Sequence, residues 1–131
     1  MIMYVDKTAD ITPEMISGMF VGWPNPPTAQ TLIKVMRSSY RGIWALDGRR
    51  VVGYINAISD GVLTAFIPWL EVLPEYQGQG IGSELVRRMV AELGDMYSID
   101  LLCDNDLVEF YERQGFFGST GAALRNYSAL Q

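Results

Sequence analysis

The sequence predicts an α/β domain with a mixed, mostly antiparallel sheet, and three observations carry that prediction. Apolar residues recur at helical spacing in two bounded stretches, 28–36 and 81–93. Between them the period shortens, and Asp47-Gly48 sits between two apolar runs as a hairpin signal. The strand–helix–strand order over residues 63–103 then requires one parallel strand pair, with a right-handed crossover.

The elements follow in order. A short apolar start ending over Tyr4, Val5 and Asp6 reads as a first strand. Thr12-Pro13-Glu14 has the form of a helix beginning: a capping hydroxyl, proline at the first helical position and an acid in the first turn. Ile16, Met19 and Phe20 supply a buried stripe for that short helix. Residues 22–27, Gly-Trp-Pro-Asn-Pro-Pro, form a loop, because prolines so dense forbid helix and sheet alike. Thr28 caps a second helix bearing Leu32, Val35 and Met36.

Residues 42–46 and 51–58 make the hairpin, and Ser59-Asp60-Gly61 the next turn. Residues 62–73 return as a long apolar strand containing Pro68, which removes a ladder hydrogen bond and predicts a bulge or break there. Ile81, Leu85, Val86, Met89, Val90 and Leu93 share one helical face, with Glu84, Arg87, Arg88 and Glu92 opposite and Gly94 as the stop. Residues 98–103 read as a buried strand. Asp106 and Glu109 suggest a capping box for a helix carrying Leu107, Val108, Phe110 and Tyr111, ended by Gly115. Phe116-Phe117 begins a further strand, residues 118–121 turn, and residues 122–127 are a last strand.

At 131 residues the chain is expected to be one domain, 1–131, with 49% hydrophobic and 19% charged residues. A net charge of −5 speaks against nucleic acid and weakly favours cationic small substrates. No apolar run is long enough to span a bilayer, no secretory signal opens the chain, and the single cysteine fits a reducing cytoplasm. There is no histidine, which removes Ser-His-Asp and Cys-His nucleophiles and histidine-based zinc sites. Carboxylates, tyrosines, lysines, backbone dipoles or water must then do any chemistry, and no metal is expected.

The junction at residues 70–85 is the most informative stretch. An apolar strand meets Pro74, three alternating glycines and a helix start, whose free N–H groups form an anion site. It lacks the lysine of a nucleoside-triphosphate loop, and its third glycine comes one residue too early for a dinucleotide fingerprint. Gln77-x-x-Gly80-x-Gly82, introduced by Val72-x-Pro74-x-Tyr76, resembles instead the Gln/Arg-x-x-Gly-x-Gly/Ala motif of the GNAT superfamily of acyl-CoA-dependent N-acetyltransferases. The run from Phe110 to Phe116, Phe-Tyr-Glu-Arg-Gln-Gly-Phe, is similar to a second segment of that family. Residues 103–108 resemble the same region of arylalkylamine N-acetyltransferases. The element order matches too.

The resemblance implies a GNAT fold whose parallel strand pair is splayed, with acetyl-CoA as co-substrate. Backbone groups of Leu70, Glu71 and Val72 would hold the pantetheine arm. Gln77 and the amides of Gly78, Gln79, Gly80, Ile81, Gly82 and Ser83 would hold the pyrophosphate, with Asn105 and Tyr111 also on the cofactor. Arg87 and Arg88 either assist there or form a solvated face. Tyr111 would protonate the departing thiolate; packing on its helix is the alternative. For the base, Glu71 comes first and Asp100 second, beside bulk water. Ordinary alternation would turn Glu71 away from Val72, so a base role needs the bulge to alter the register. Cys103 reads as a buried structural thiol, and Trp23 as part of the acceptor-side wall. The reaction implied is acetyl transfer to a small primary amine; the alternatives are a protein N-terminus or lysine as acceptor, or a non-catalytic acyl-CoA sensor. Dimerisation is common in the family.

Overall fold

The sheet is built outward from β3 (Arg50–Ser59), whose residues 51–57 are all buried. In the computed structural model, which describes residues 1–130, β3 pairs on one side with β2 (Arg41–Asp47) and on the other with two short strands in succession. These are β4 (Thr64–Phe66) and β5 (Leu70–Val72), both antiparallel to β3. β1 (Ile2–Val5) extends the sheet beyond β2, and β6 (Ser98–Asp100) runs parallel to β4 at the opposite margin. The architecture is therefore the mixed α/β sheet expected, with its one parallel pair.

Two helices cover its two faces. α2 (Ile81–Leu93) lies on one, burying Ile81, Leu85, Val86, Met89 and Leu93 against β2, β3 and β5. Each such side chain contributes about 1.5–3 kcal/mol. A Cβ on Gly53 would stand 3.0 Å from the Glu71 carbonyl oxygen and 3.3 Å from Leu85, so a bare backbone lets helix and strands close together. α1 (Ala29–Ser38) lies on the other face and buries Leu32, Ile33 and Met36, with Val35 half-buried; Thr28 caps it by accepting from Thr31 N–H at 3.1 Å. Trp44 and Tyr54 are buried on this α1 side of the sheet.

Several expectations are corrected. The segment after Thr12 makes only the 3-10 turn Pro13–Met15, because Ile16 is already extended and Gly18 turns left-handed at φ +80°. Its apolar residues are buried all the same, with Met15, Met19 and Phe20 in the core. The 62–73 strand is broken as Pro68 predicts. The strand expected over 98–103 keeps only three paired residues and is half-buried rather than buried, since β4 supplies no partner beyond Ile67. No capping box forms at Asp106. A 3-10 turn, Asn105–Leu107, leads into α3 (Val108–Glu112) with no side-chain cap, and Gly115 ends that stretch at φ +98°. Neither strand expected after Gly115 exists. Residues 117–130 pair with nothing in the sheet, are exposed, and end in the 3-10 turn Tyr127–Leu130.

Candidate active site

The break at Pro68 opens a gap. Ile67 N–H donates to Asp100 C=O at 2.9 Å, and there the parallel ladder stops. β5 continues along β3 while residues 101–103, which follow β6, have no strand beside them. Buried Asn56 on β3 sustains the break. Its N–H donates to the Trp69 carbonyl at 3.2 Å, and its side-chain oxygen accepts from Trp69 N–H at 3.1 Å. Its amide nitrogen donates to Ser39 Oγ at 2.9 Å, and that hydroxyl donates to Val35 C=O at 2.7 Å. One side chain thus ties the strand break to the end of α1.

The ladder alternation decides what faces the gap. Leu73 N–H donates to Val52 C=O, so residues 69, 71 and 73 bond toward β3. Leu70 and Val72 therefore turn their N–H and C=O groups outward. Gln77 Nε2 donates to the Val72 carbonyl at 3.0 Å, tying the glycine turn back to this edge. A left-handed Gly80, φ +85°, then starts α2 without any side-chain cap, leaving the first amides at Ile81, Gly82 and Ser83 free of intrahelical partners. A Cβ on Gly82 would meet Phe110 Cζ at 3.5 Å and Val72 Cγ2 at 3.8 Å, both ordinary contacts, so the fold itself does not demand glycine there. Gln114 Nε2 donates to Ser83 Oγ at 3.0 Å and joins the end of the α3 segment to the start of α2.

Arg87 and Arg88 both bond Glu84, each at 2.6 Å, and these two guanidiniums hold its carboxyl down at about 2. Positive character at the helix start thus comes from backbone amides and the helix dipole.

Glu71 keeps ordinary alternation. It pairs with Tyr54 and faces the α1 side, while Val72 faces α2. Its carboxylate accepts from Phe20 N–H at 2.9 Å, Val21 N–H at 3.1 Å and the Tyr54 hydroxyl at 3.1 Å. Phe20 is the one described non-glycine residue with positive φ, +60°, a conformation costing about 1–3 kcal/mol that those bonds offset. Burial, then the Glu71 charge and hydrogen bond, push the Tyr54 hydroxyl far above the ordinary tyrosine value. Beside this clasp Phe20 packs edge to face with Trp23 and Trp69, which are tilted against each other, with Phe20–Trp23 centroids 5.1 Å and Trp23–Trp69 centroids 5.5 Å apart. Asn56, Tyr54, Trp69 and Gln114 were missed by sequence reasoning. The one available signal was a polar Asn56 inside an apolar strand.

Tyr111 on α3 is half-buried, its ring edge-on to Phe110 and Phe116. It shares a cavity wall with Leu101, Cys103 and Asn105. Desolvation, then the Cys103 thiol, push its hydroxyl up to about 12. Cys103 itself is exposed rather than buried, and its thiol is raised by desolvation and then by Asp104 and Asp106, so it is not activated as a nucleophile. Asp100 closes β6, exposed, at the point where the ladder ends.

This geometry, a strand edge opened beside its parallel neighbour and leading into an uncapped helix start, agrees with comparison to known proteins. Residues 9–116 match the acetyltransferase (GNAT) family, and the chain belongs to it. It is 33% identical over 109 residues to histone acetyltransferase TAP1 of Glycine max, covering 73% of this chain and 47% of that protein. It is 34% identical over 117 residues to the chloroplastic GCN5-related N-acetyltransferase 2 of Arabidopsis thaliana, covering 73% and 45%. The chain thus spans just under half the length of these relatives. The crystal structure of an acetyltransferase candidate from Deinococcus radiodurans R1 superposes with a TM-score of 0.94 at 43% identity, covering 97% of this chain and 90% of that one.

Proposed function

We propose that the chain transfers an acetyl group from acetyl-CoA directly to a primary amine. The observation that carries this reading is the outward-facing edge of β5 at Leu70 and Val72, running straight into the uncapped start of α2. An extended pantetheine arm would pair with the edge, and its pyrophosphate would take the amides of residues 78–83. The amine attacks the thioester carbon, and the Val72 N–H supports the oxyanion. The C–S bond then breaks and Tyr111 protonates the thiolate, a transfer suited to a phenol kept neutral by its surroundings. Glu71 closes the loop at Phe20 and, with its remaining lone pair, draws the amine proton away through water. The negative net charge and the aromatic wall of Phe20, Trp23 and Trp69 suit an amine that arrives as a cation. A relative named as a histone acetyltransferase favours a lysine side chain as the second reading.

Release of coenzyme A thiol, measured across small amines, lysine peptides and a no-acceptor control, tests the reaction. Acetyl-CoA at 100 times its dissociation constant should stabilise the protein by about 2.7 kcal/mol. No stabilisation would remove acetyl-CoA from the reading, and stabilisation without thiol release from any amine would leave an acyl-CoA sensor.

A further inference from the structure

Tyr111 and the cradle at the start of α2 stand on different elements, and something must hold them in register. Tyr111 belongs to α3, a helix of only five residues with no strand after it. The backbone around it bonds only within its own neighbourhood. Leu107 N–H donates to Asp104 C=O, Arg113 N–H to Glu109 C=O and Gly115 N–H to Glu112 C=O. Among the described residues, one hydrogen bond ties residues 104–116 to the rest of the chain, and it runs from Gln114 Nε2 to Ser83 Oγ. The rings of Phe110, Tyr111 and Phe116 pack this segment against the core, but apolar burial is non-directional. A hydrogen bond sets both a distance and an angle.

Each end of that bond sits on a part of the site. Ser83 is the third residue of α2, so its N–H is among the amides free of an intrahelical partner. Its neighbour Gly82 faces Phe110, whose Cζ would stand 3.5 Å from a Cβ there. Phe110 and Gln114, four residues apart, thus meet adjacent residues of the helix start, as side chains at that spacing on one helical face can. At the other end, Tyr111 C=O accepts from Gln114 N–H at 2.9 Å and from Phe116 N–H at 3.1 Å. Gln114 reaches the cradle with its side chain and the tyrosine with its backbone.

Resting on the reading in which Tyr111 protonates the departing thiolate, we propose that Gln114 is a positioning residue. Its bond to Ser83 fixes the Tyr111 hydroxyl relative to a donor seated on the same helix start. Donor and acid then share one frame, the first turn of α2. A displacement of about 1 Å can cost about 10²-fold in rate, so a single lost bond matters here.

Release of coenzyme A thiol with the best amine of the panel tests this. Gln114→Ala and Ser83→Ala should each lower kcat about tenfold, while KM for acetyl-CoA, which rests on backbone amides, stays within about twofold. The two combined should lose no more than either alone, since both remove one bond. In a Tyr111→Phe background Gln114→Ala should have no further effect, because the residue acts through the phenol. Ser83→Ala raises helix propensity and keeps the test decisive should Gln114→Ala unfold. A loss that adds to that of Tyr111→Phe overturns the proposal, as does wild-type kcat in Ser83→Ala. A raised KM with kcat unchanged also overturns it, because Gln114 would then serve the cradle alone. Each of these outcomes leaves Tyr111 as the acid. Full turnover in Tyr111→Phe removes the acid itself, and this proposal with it.

Discussion

Two tyrosines with displaced hydroxyls serve different ends. Tyr111 has no hydrogen-bonding side chain as a partner, only the rings of Phe110 and Phe116 and the Cys103 thiol, so its proton is available to a departing group. Tyr111→Phe keeps the packing and should lower kcat by ~10²-fold while leaving KM for acetyl-CoA unchanged, as steady-state kinetics will show. Tyr54 instead donates its proton to Glu71 and anchors the loop at Phe20. Glu71→Gln replaces an acceptor by an amide and sets N–H groups against N–H groups. It should raise KM for the amine and lower kcat; a raised KM with kcat unchanged would confine Glu71 to clasping the loop. Both tyrosines stay protonated in the folded protein above pH 10, where the unfolded chain has ionised. The stability they support is thus complete below pH 10 and declines as pH climbs from there toward 12. Urea midpoints between pH 9 and 11 should show this fall, and Tyr54→Phe should make it shallower. Tyr111 was legible in the sequence because its neighbours form a contiguous motif. Glu71 was legible only as a carboxylate on the right strand, since its partners lie some 50 residues away.

Pro68 announces that a strand breaks, and the sequence reading placed that break correctly. What keeps β4 and β5 in line with β3 on either side of it is Asn56, which occupies the ladder position opposite Trp69. That role depends on the register of two strands and could not be read from either one. Asn56→Ala leaves Trp69 N–H without its partner and takes one donor from Ser39 Oγ at a part-buried site, costing about 1–3 kcal/mol. Because the gap would lose its fixed width, KM for acetyl-CoA should rise more than kcat falls; denaturation and kinetics on one preparation check both. The helices were legible to within a residue or two where caps and glycines agree, as with Thr28, Gly80 and Gly94. The turn after Thr12 and the missing strands after Gly115 were not. Their apolar spacing is satisfied by packing in one case and meets no partner strand in the other.

Across the whole molecule, α2 packs on β2, β3 and β5, while β4 and β6 form the flank from which it diverges. The fold class followed from periodicity and one obligatory crossover, and the cradle from its glycines. The unpaired segment after Gly115 could not be foreseen, because a sequence shows strand-forming residues without showing whether a partner strand stands beside them. The sheet also has an order of resistance to opening. Among the described residues β3 is the only strand bonded to both halves, to β2 over residues 50–57 and to β4 and β5 in turn. Amide hydrogen exchange should therefore be slowest for residues 51–57 and fastest for residues 117–130, a spread approaching the full unfolding free energy. Acetyl-CoA should slow Leu70 and Val72 selectively, since their outward amides are the ones it would cover, and leave Ile99 unchanged. The strand that holds the gap open would then serve as an internal clock, against which both of its edges can be timed separately.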